Sequence, residues 1–156
     1  MPSRERHAVR ALLLSPAQEL LMMRFVAPDR SVWITLGGGL LPGEGVIAGL
    51  HRELLEETER EGWSVGPEVW HRTVTYELNG DAVTQHERFF WVPTPRFEPP
   101  PDMPDEVERR WFGGFRWWSV AEIAAASDRF APRQLASRLD DLLRDGPPSQ
   151  PVDVGR

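Results

Sequence analysis

The chain lacks both cysteine and lysine, and each absence removes a class of chemistry. Without cysteine there can be no disulfide, no thiolate zinc site and no cysteine nucleophile. All 18 basic residues are arginine, so a P-loop lysine, a Schiff-base lysine and a Ser-Lys dyad are excluded as well. The net charge is −6, which argues against general nucleic-acid binding but leaves room for an arginine-lined pocket for one phosphorylated ligand.

Long apolar runs are missing too. No stretch approaches the roughly 18 apolar residues of a membrane span, and the start MPSRERHAVR has no signal-peptide core, so we expect a cytoplasmic protein with no membrane contact. The 156 residues have an ordinary apolar and charged content, which predicts a single globular domain. We place that domain at residues 1–145 and expect the proline-rich tail at 146–156, GPPSQPVDVGR, to be disordered.

The residue pattern predicts a mixture of strands and helices. Apolar runs between turn signals predict strands at 7–14, 19–26, 33–36, 63–78, 82–92 and 115–118. Asn79-Gly80 favours a tight hairpin turn, and the prolines of 93–104 predict a loop. Helices are expected at 46–60, from Val120 behind a Ser119 cap, and at 132–144. This order fits an α+β fold in which helices flank a sheet.

Segment 38–57, GGLLPGEGVIAGLHRELLEE, is the most informative part of the chain. Glu53, Glu56 and Glu57 stand at i, i+3 and i+4, so a helix places them on one face, opposite an apolar stripe of Ile47, Leu50 and Leu54. Like charges at this spacing repel by roughly 0.2–0.5 kcal/mol per pair, and the helix dipole is unfavourable to anions in the later turns. A bound cation would relieve this repulsion.

The oxygen ligands in this segment suit Mg²⁺ or Mn²⁺ shared with a diphosphate. Glycines 37–39 let the backbone approach a ligand closely, and the loop after them can bring Glu44 back towards the helix. A carboxylate left off the metal could serve as general base. The alternative is a solvated acidic face, the usual fate of a charged run. An EF-hand is excluded because its Asp-x-Asp-x-Asp-Gly spacing is absent.

The same segment resembles the Nudix box of MutT-like hydrolases. The box pattern is Gly, five residues, Glu, seven residues, then Arg-Glu-aliphatic-any-Glu-Glu-any-Gly-aliphatic, and matching residues stand here at Gly38, Glu44, Arg52, Glu53, Leu54, Glu56 and Glu57. The chain departs from the pattern where Glu59 replaces the last glycine. Because the next glycine is Gly62, we expect the helix to run nearly one turn longer. Gly49 replaces the usual alanine, at a cost of up to about 1 kcal/mol in helix propensity.

The resemblance implies a Nudix-type α/β/α sandwich with a mixed sheet and a role for each box residue. Glu53, Glu56 and Glu57 would be the metal carboxylates, the Gly37 carbonyl could add a ligand, and Glu44 would lie in or beside the site. Arg52 would orient Glu53 or another box glutamate; the alternative is a simple ion pair on the helix surface. The general base would be Glu53 or an acid from a later segment, for which the candidates are Glu106, Glu108 and Glu87, each with the alternative of an ordinary exposed carboxylate.

Substrate contacts are harder to read from the sequence. An aromatic platform for a nucleotide base could come from Trp33, Phe90 or Trp111, although a tryptophan in a chain with seven is more often a core residue. Phosphates could contact the backbone at Gly38 and Gly39 or the arginines, of which Arg24 is one candidate, although most arginines are solvated. Tyr76 lies about where dinucleoside polyphosphate hydrolases of the family tend to have a tyrosine; an ordinary strand tyrosine is the alternative.

The function implied by the resemblance is a divalent-metal-dependent pyrophosphohydrolase. Its substrate would be a small phosphoanhydride derived from a nucleotide, such as a dinucleoside polyphosphate or a nucleotide sugar, and water would attack at phosphorus. Family members are often dimers, so a homodimer is left open. The alternative function is a Nudix-fold nucleotide-binding or sensor module with weak catalysis. The related isopentenyl diphosphate isomerase is disfavoured because it uses a catalytic cysteine.

Overall fold

A computed structural model of the chain describes residues 4–104 and 109–156 and has one mixed β-sheet at its centre. The strands are β1 Arg4–Leu14, β2 Leu20–Ala27, β3 Arg30–Gly39, β4 Glu68–Leu78, β5 Asp81–Pro93, β6 Phe112–Trp118, β7 Phe130–Ala131 and β8 Val152–Asp153. They lie in the order β6-β2-β3-β1-β5-β4-β8, with β7 beside β3. Pairs β1–β5, β3–β7 and β4–β8 are parallel, and the other pairs are antiparallel.

Helices cover both faces of this sheet. The helices are α1 Val46–Thr58, α2 Val120–Ala125 and α3 Leu135–Asp145. Leu50 and Leu54 of α1 are fully buried in one core cluster, whereas Leu139 and Leu142 of α3 are buried in a second cluster on the opposite face. The predicted α/β/α sandwich is therefore confirmed. Ile47, predicted to be part of the apolar stripe, is instead 43% exposed.

Both faces of strand β1 are buried, so its side chains contribute to both core clusters. Val9, Ala11 and Leu13 belong to the cluster under α1, and Leu12 and Leu14 belong to the cluster under α2 and α3. A strand covered on both faces is apolar at consecutive positions, which explains the run in the sequence. Within residues 4–104 and 109–156, none of the helices combines the length and the apolar character that a membrane span requires.

The local turn and cap signals are confirmed. Asn79 and Gly80 both have positive φ, 53° and 85°, as a tight primed hairpin between β4 and β5 requires. Ser119 accepts the backbone N–H of Glu122, and the Glu122 carboxylate accepts that of Ser119, so α2 begins with a capping box.

The three glycines before α1 are part of β3 rather than a turn. Gly37, Gly38 and Gly39 pair with residues 10, 9 and 8 of β1, so the predicted strand is longer than residues 33–36. Gly37 has φ +134°, and a Cβ built there would lie 2.0 Å from the carbonyl oxygen of Val9. A larger residue at position 37 would therefore separate the two strands.

Helix α1 ends two residues before the expected end at Arg60. Its last residue is Thr58, and Glu59 adopts the left-handed conformation with φ 60° and ψ 23°, donating its N–H to the carbonyl of Leu55. The expected extension towards Gly62 is therefore wrong. Glu59 takes the backbone conformation that the missing box glycine would adopt without strain.

The expectation of a disordered tail is contradicted at residues 152–154. Strand β8 pairs with the edge strand β4, opposite Trp70 and His71. Val154 is only 2% exposed and joins the second core cluster, and its N–H donates to the His71 carbonyl at 3.0 Å. An open sheet edge offers unpaired backbone groups, which the tail satisfies here.

We predict that Glu59→Gly stabilises the protein by about 0.5–1 kcal/mol, because a non-glycine residue is strained in the left-handed region. The free energy of unfolding in urea measures this effect. Glu61→Gly is the matched control: Glu61 has no positive φ, so glycine there should be neutral or destabilising. Equal effects of the two substitutions would contradict the assignment of strain to Glu59.

Candidate active site

The acidic side of α1 rests on the glycine end of β3. Glu57 is fully buried, and its Oε1 accepts the backbone N–H of Gly37 at 2.8 Å. Glu53 is 5% exposed and fills the space beside Gly38, where an added Cβ would lie 2.7 Å from its carboxylate. Glu56 is more open, with 38% of its side chain exposed. The alternative of a solvated acidic face is therefore wrong for Glu53 and Glu57.

Arg52 ties the loop before α1 to these glutamates. Its Nε and Nη2 donate to Glu44 at 2.7 and 2.9 Å, a bidentate pair. Its Nη1 donates to Glu53 Oε1 at 3.0 Å and to Glu56 Oε1 at 3.2 Å, and its Nη2 also reaches the carbonyl oxygen of Gly39 at 3.0 Å. Arg52 is thus the centre of a network, and the alternative of a simple surface ion pair does not describe it.

Glu44 closes the loop through this network. The hydrogen bond from Arg52 and a second one from the backbone N–H of Leu41 lower the pKa of Glu44 to about 2. Gly49 explains part of the geometry, because a Cβ there would lie 2.3 Å from Leu40 and 2.9 Å from Glu44 Oε1. The glycine that costs helix propensity at this position therefore makes room for the loop.

Glu53 is the electrostatically unusual member of the set. Burial raises its pKa, and the charge of Glu56 adds to the effect, while Arg52 opposes it. Its Oε2 is buried and has no hydrogen-bond partner among the residues that the structure describes. A buried carboxylate oxygen without a partner is costly, and it is available to a ligand that brings positive charge.

The donors fit a hard divalent cation in kind, since all are carboxylate or carbonyl oxygens. Among residues 4–104 and 109–156, no three acidic or histidine side chains converge as a preformed metal cage. The contacts explain this: Arg52 bonds both Glu53 and Glu56, and Glu57 accepts the N–H of Gly37. The oxygen donors are therefore present, and the guanidinium of Arg52 supplies the positive charge that a metal ion would otherwise supply.

A second arginine approaches the glycine strand from the other face of the sheet. Arg10 donates to the carbonyl oxygens of Gly37 and Thr35 at 3.2 and 3.3 Å. Its Nε donates to Glu87 at 2.8 Å, and Arg72 donates to the other oxygen of Glu87 at 2.6 Å. The carbonyl predicted as an extra metal ligand, that of Gly37, therefore already accepts a hydrogen bond.

Glu87 is wrong as a general-base candidate. It is only 2% exposed, and both of its oxygens accept hydrogen bonds from arginines. Burial would raise its pKa, but Arg10 and Arg72 outweigh burial and lower it. A base needs access to the proton that it removes, whereas this carboxylate joins β1, β4 and β5. Glu106 and Glu108, the other two candidates, lie outside the described residues.

The structure separates the predicted aromatic contacts. Trp33 belongs to the cluster under α2 and α3, and its Nε1 donates to Asp128 at 3.0 Å. Phe90 belongs to the cluster under α1, on the opposite face of the sheet. Both are less than 10% exposed, so each fits the core alternative and the two cannot form one platform. Trp111 is half-buried and stacks on Phe25 at 5.9 Å between ring centres.

Tyr76 and Arg24 are more accessible polar candidates. The Tyr76 hydroxyl donates to Gln85 at 2.9 Å and accepts from Arg6 at 3.3 Å. The Arg6 guanidinium in turn lies 2.9 Å from where a Cβ of Gly39 would be, which connects Tyr76 to the end of the glycine strand. Arg24 donates to Ser31 at 3.2 Å.

Sequence reasoning missed two charged residues that lie next to the elements forming this site, one near the end of α1 and one beside β3. Glu98 lines a cavity of about 690 Å³ together with Thr58, Glu59 and Arg60, the residues that follow the acidic face of α1. It lies inside the proline-rich loop 93–104, where the sequence carries no signal for a cavity. Arg10 was missed as well, and its signal was a charge inside the apolar run of β1.

We predict that Glu87→Gln lowers the free energy of unfolding by about 3–5 kcal/mol, because it leaves Arg10 and Arg72 partly buried without a counter-charge. Urea unfolding measures the effect. Glu68→Gln is the matched control, since it removes the carboxylate from an open pair with Arg88 and should cost less than about 1 kcal/mol. Similar small losses in both variants would contradict the role given to Glu87.

The fold agrees with comparisons to known proteins. The NUDIX domain family matches residues 4–139, and none of the curated proteins matches the chain. Similar solved structures include the E. coli ORF135 protein, 22% identical over 95% of this chain and 96% of that chain, with a TM-score of 0.63. MutT protein from Methanosarcina mazei Go1 is 19% identical over 93% of this chain and 97% of that chain, with a TM-score of 0.62. A C. elegans Ap4A hydrolase is 16% identical over 89% of this chain and 98% of that chain, with a TM-score of 0.60.

At such identities the structural likeness concerns the fold, whereas the family match spans most of the chain and includes the whole box. The glutamates of the box lie where α1 meets the glycine strand, with Arg52 between them. The chain therefore belongs to the NUDIX family and is a Nudix hydrolase, an enzyme that acts on phosphorus-containing anhydride bonds.

Proposed function

We propose that this Nudix hydrolase is a Mg²⁺- or Mn²⁺-dependent pyrophosphohydrolase that cleaves a nucleoside diphosphate linked to another group. The observation that supports this most is the state of Glu53. Its carboxylate is buried beside Gly38, one of its oxygens is held by Arg52, and the other has no hydrogen-bond partner among the described residues. This arrangement is costly for a structural side chain and useful for one that meets a cation or a proton.

Glu53, Glu56 and Glu57 would hold the ion, with Glu44 and the Gly37 carbonyl as further oxygen donors at the same end of the sheet. When bound, the ion would neutralise phosphate charge and lower the pKa of a water. Arg52 would position Glu53 through the bond to its Oε1 and leave Oε2 directed to the reaction.

Glu53 is also our candidate for the general base, a role that it would take where Glu56 and Glu57 hold the ion without it. Its raised pKa brings the carboxylate closer to the working pH, where proton transfer is most efficient. It would take the proton of the water whose oxygen forms the new bond to phosphorus while the bridging P–O bond of the anhydride breaks. Glu98 is the alternative base, because it lines the cavity at the end of α1.

We infer a nucleotide-derived substrate from the groups around the glycine strand. Arg6 near Gly39 could bind a phosphate outside the scissile bond, and Tyr76, held by Arg6 and Gln85, could contact the nucleoside. Trp33 and Phe90 have core positions and are not part of this proposal. Cytoplasmic location and a homodimer remain expectations from the sequence and the family resemblance.

The test is turnover of a panel containing dinucleoside polyphosphates, ADP-ribose and nucleoside triphosphates, with Mg²⁺, with Mn²⁺ and in EDTA. We expect at least one member to be cleaved with metal and none in EDTA, and ¹⁸O from labelled water to appear in one phosphate product. Binding of nucleotides by folded protein without any cleavage would favour the alternative of a sensor module.

Within the same assay, we expect Glu53→Gln to lower kcat by about two to four orders of magnitude. Because burial raises the pKa of Glu53 in the folded state, its contribution to stability is present at low pH and is lost as the pH rises through that pKa. At pH 8 in EDTA, Glu53→Gln should therefore be more stable than the natural protein in thermal melts.

The matched control is Glu61→Gln, an exposed acid beyond the end of α1, which should change neither kcat nor stability. If Glu53→Gln kept more than a tenth of the activity, Glu53 would not be the base, and Glu98→Gln would be the next variant to measure. A large loss of activity accompanied by a loss of stability would show that Glu53 acts through the fold instead.

A further inference from the structure

A second polar cavity lies on the face of the sheet opposite to α1 and the box glutamates. Its volume is about 420 Å³, and it opens between the start of α3 and the tail, lined by Arg133, Gln134, Arg138, Asp153, Val154, Gly155 and Arg156. Helix α3 packs in the core cluster that faces away from α1. This cavity, the tail pocket, is therefore distinct from the candidate active site.

The tail pocket has fixed walls. Strand β8 is paired with β4, and the buried side chain of Val154 anchors the segment in the core. On the other side, the backbone N–H of Arg133 donates at 2.6 Å to a main-chain carboxylate oxygen of Arg156, the last residue of the sequence. Backbone hydrogen bonds therefore fix the segments on both sides of this space.

Positive charge is in excess within the tail pocket. It gathers three arginines, and the one acidic side chain that lines it, Asp153, accepts the backbone N–H of Gly155 at 2.9 Å. Over residues 4–104 and 109–156, the ion pairs include none to Arg133, Arg138 or Arg156.

One of these arginines, Arg138, also has a hydrogen-bond donor without an acceptor. The Nε of Arg138 is buried and has no hydrogen-bond partner in the described part of the chain, and the same holds for the Nε of Arg72. Burial lowers the pKa of Arg72, and the charge of Arg133 is among the causes, so the two guanidinium groups are close enough to repel. Arg144, on the same helix as Arg138, instead pairs with Asp140, Asp141 and Asp145.

A guanidinium N–H that is out of water and unpaired needs an acceptor, and phosphate oxygens match its forked geometry. We propose that the tail pocket is a binding site for a phosphate-type oxyanion, held by Arg133 and Arg138, with Arg156 at its rim. Free phosphate and the phosphate group of a nucleotide present the same oxygens, so both are sources of such an anion.

The test is titration calorimetry with sodium phosphate and, separately, with AMP, at constant ionic strength set by sodium chloride and with EDTA present. The natural protein should bind phosphate saturably, and Arg133→Gln with Arg138→Gln should raise the Kd at least tenfold. Arg133→Gln alone, a change of an exposed side chain, should raise the Kd at least threefold and keeps the test valid if the double variant fails to fold. Tighter binding of AMP than of phosphate would identify a nucleotide as the source, and equal binding would identify the phosphate group alone.

Two controls locate the site. Arg144→Gln, which removes a paired arginine from the same helix, and Glu53→Gln should both bind phosphate like the natural protein. No saturable binding, or an unchanged Kd in Arg133→Gln with Arg138→Gln, would overturn the proposal. Since the assay contains no metal and needs no turnover, failure of the proposed hydrolysis would not alter its outcome, and absence of phosphate binding would not alter the hydrolysis assay.

Discussion

The contact between the acidic side of α1 and the backbone of β3 is the interaction on which the candidate site depends. Glu57 accepts the N–H of Gly37, and the Glu53 carboxylate fills the space left by the missing side chain of Gly38. Both contacts require glycine, because a Cβ at either position would collide with a neighbouring strand or with the carboxylate itself. The helix is thus fixed by the glutamates of the box as well as by the buried leucines beneath it.

Concentrating carboxylates in this way creates repulsion, and arginines on both faces of the sheet offset it. Arg52 bonds Glu44, Glu53 and Glu56 on the side of α1. From the other face, burial would lower the pKa of Arg10, but Glu87 and, through their charges, Glu57 and Glu53 raise it. The network thus gives most of the charges on this acidic surface a partner of opposite charge.

Local signals in the sequence were sufficient for much of the fold. The box predicted α1 and its three glutamates on one side, Asn79-Gly80 predicted the hairpin, and Ser119 with Glu122 predicted the start of α2. Each of these features depends on residues within a few positions of one another, where backbone preference and hydrogen bonding act directly.

What the sequence could not reveal depends on partners far apart in the chain. The glycines are strand because β1 pairs with them, and Glu87 is buried because Arg10, 77 residues away, meets it. The tail is ordered because Val154 reaches a core that forms from other segments. Glu59 ends α1 in the left-handed conformation because the chain turns at this point. The need for a turn there outweighs the intrinsic helix propensity of glutamate.

The most direct test of the account is binding of Mn²⁺, followed by electron paramagnetic resonance of the free ion, in Gly38→Ala and Gly45→Ala. An added methyl at position 38 displaces the Glu53 carboxylate, whereas one at position 45 meets open space. We predict that Gly38→Ala remains folded but binds Mn²⁺ at least tenfold more weakly, and that Gly45→Ala binds it normally. Undiminished Mn²⁺ binding by folded Gly38→Ala would contradict the claim that the glycine strand and the acidic helix together form the ion site.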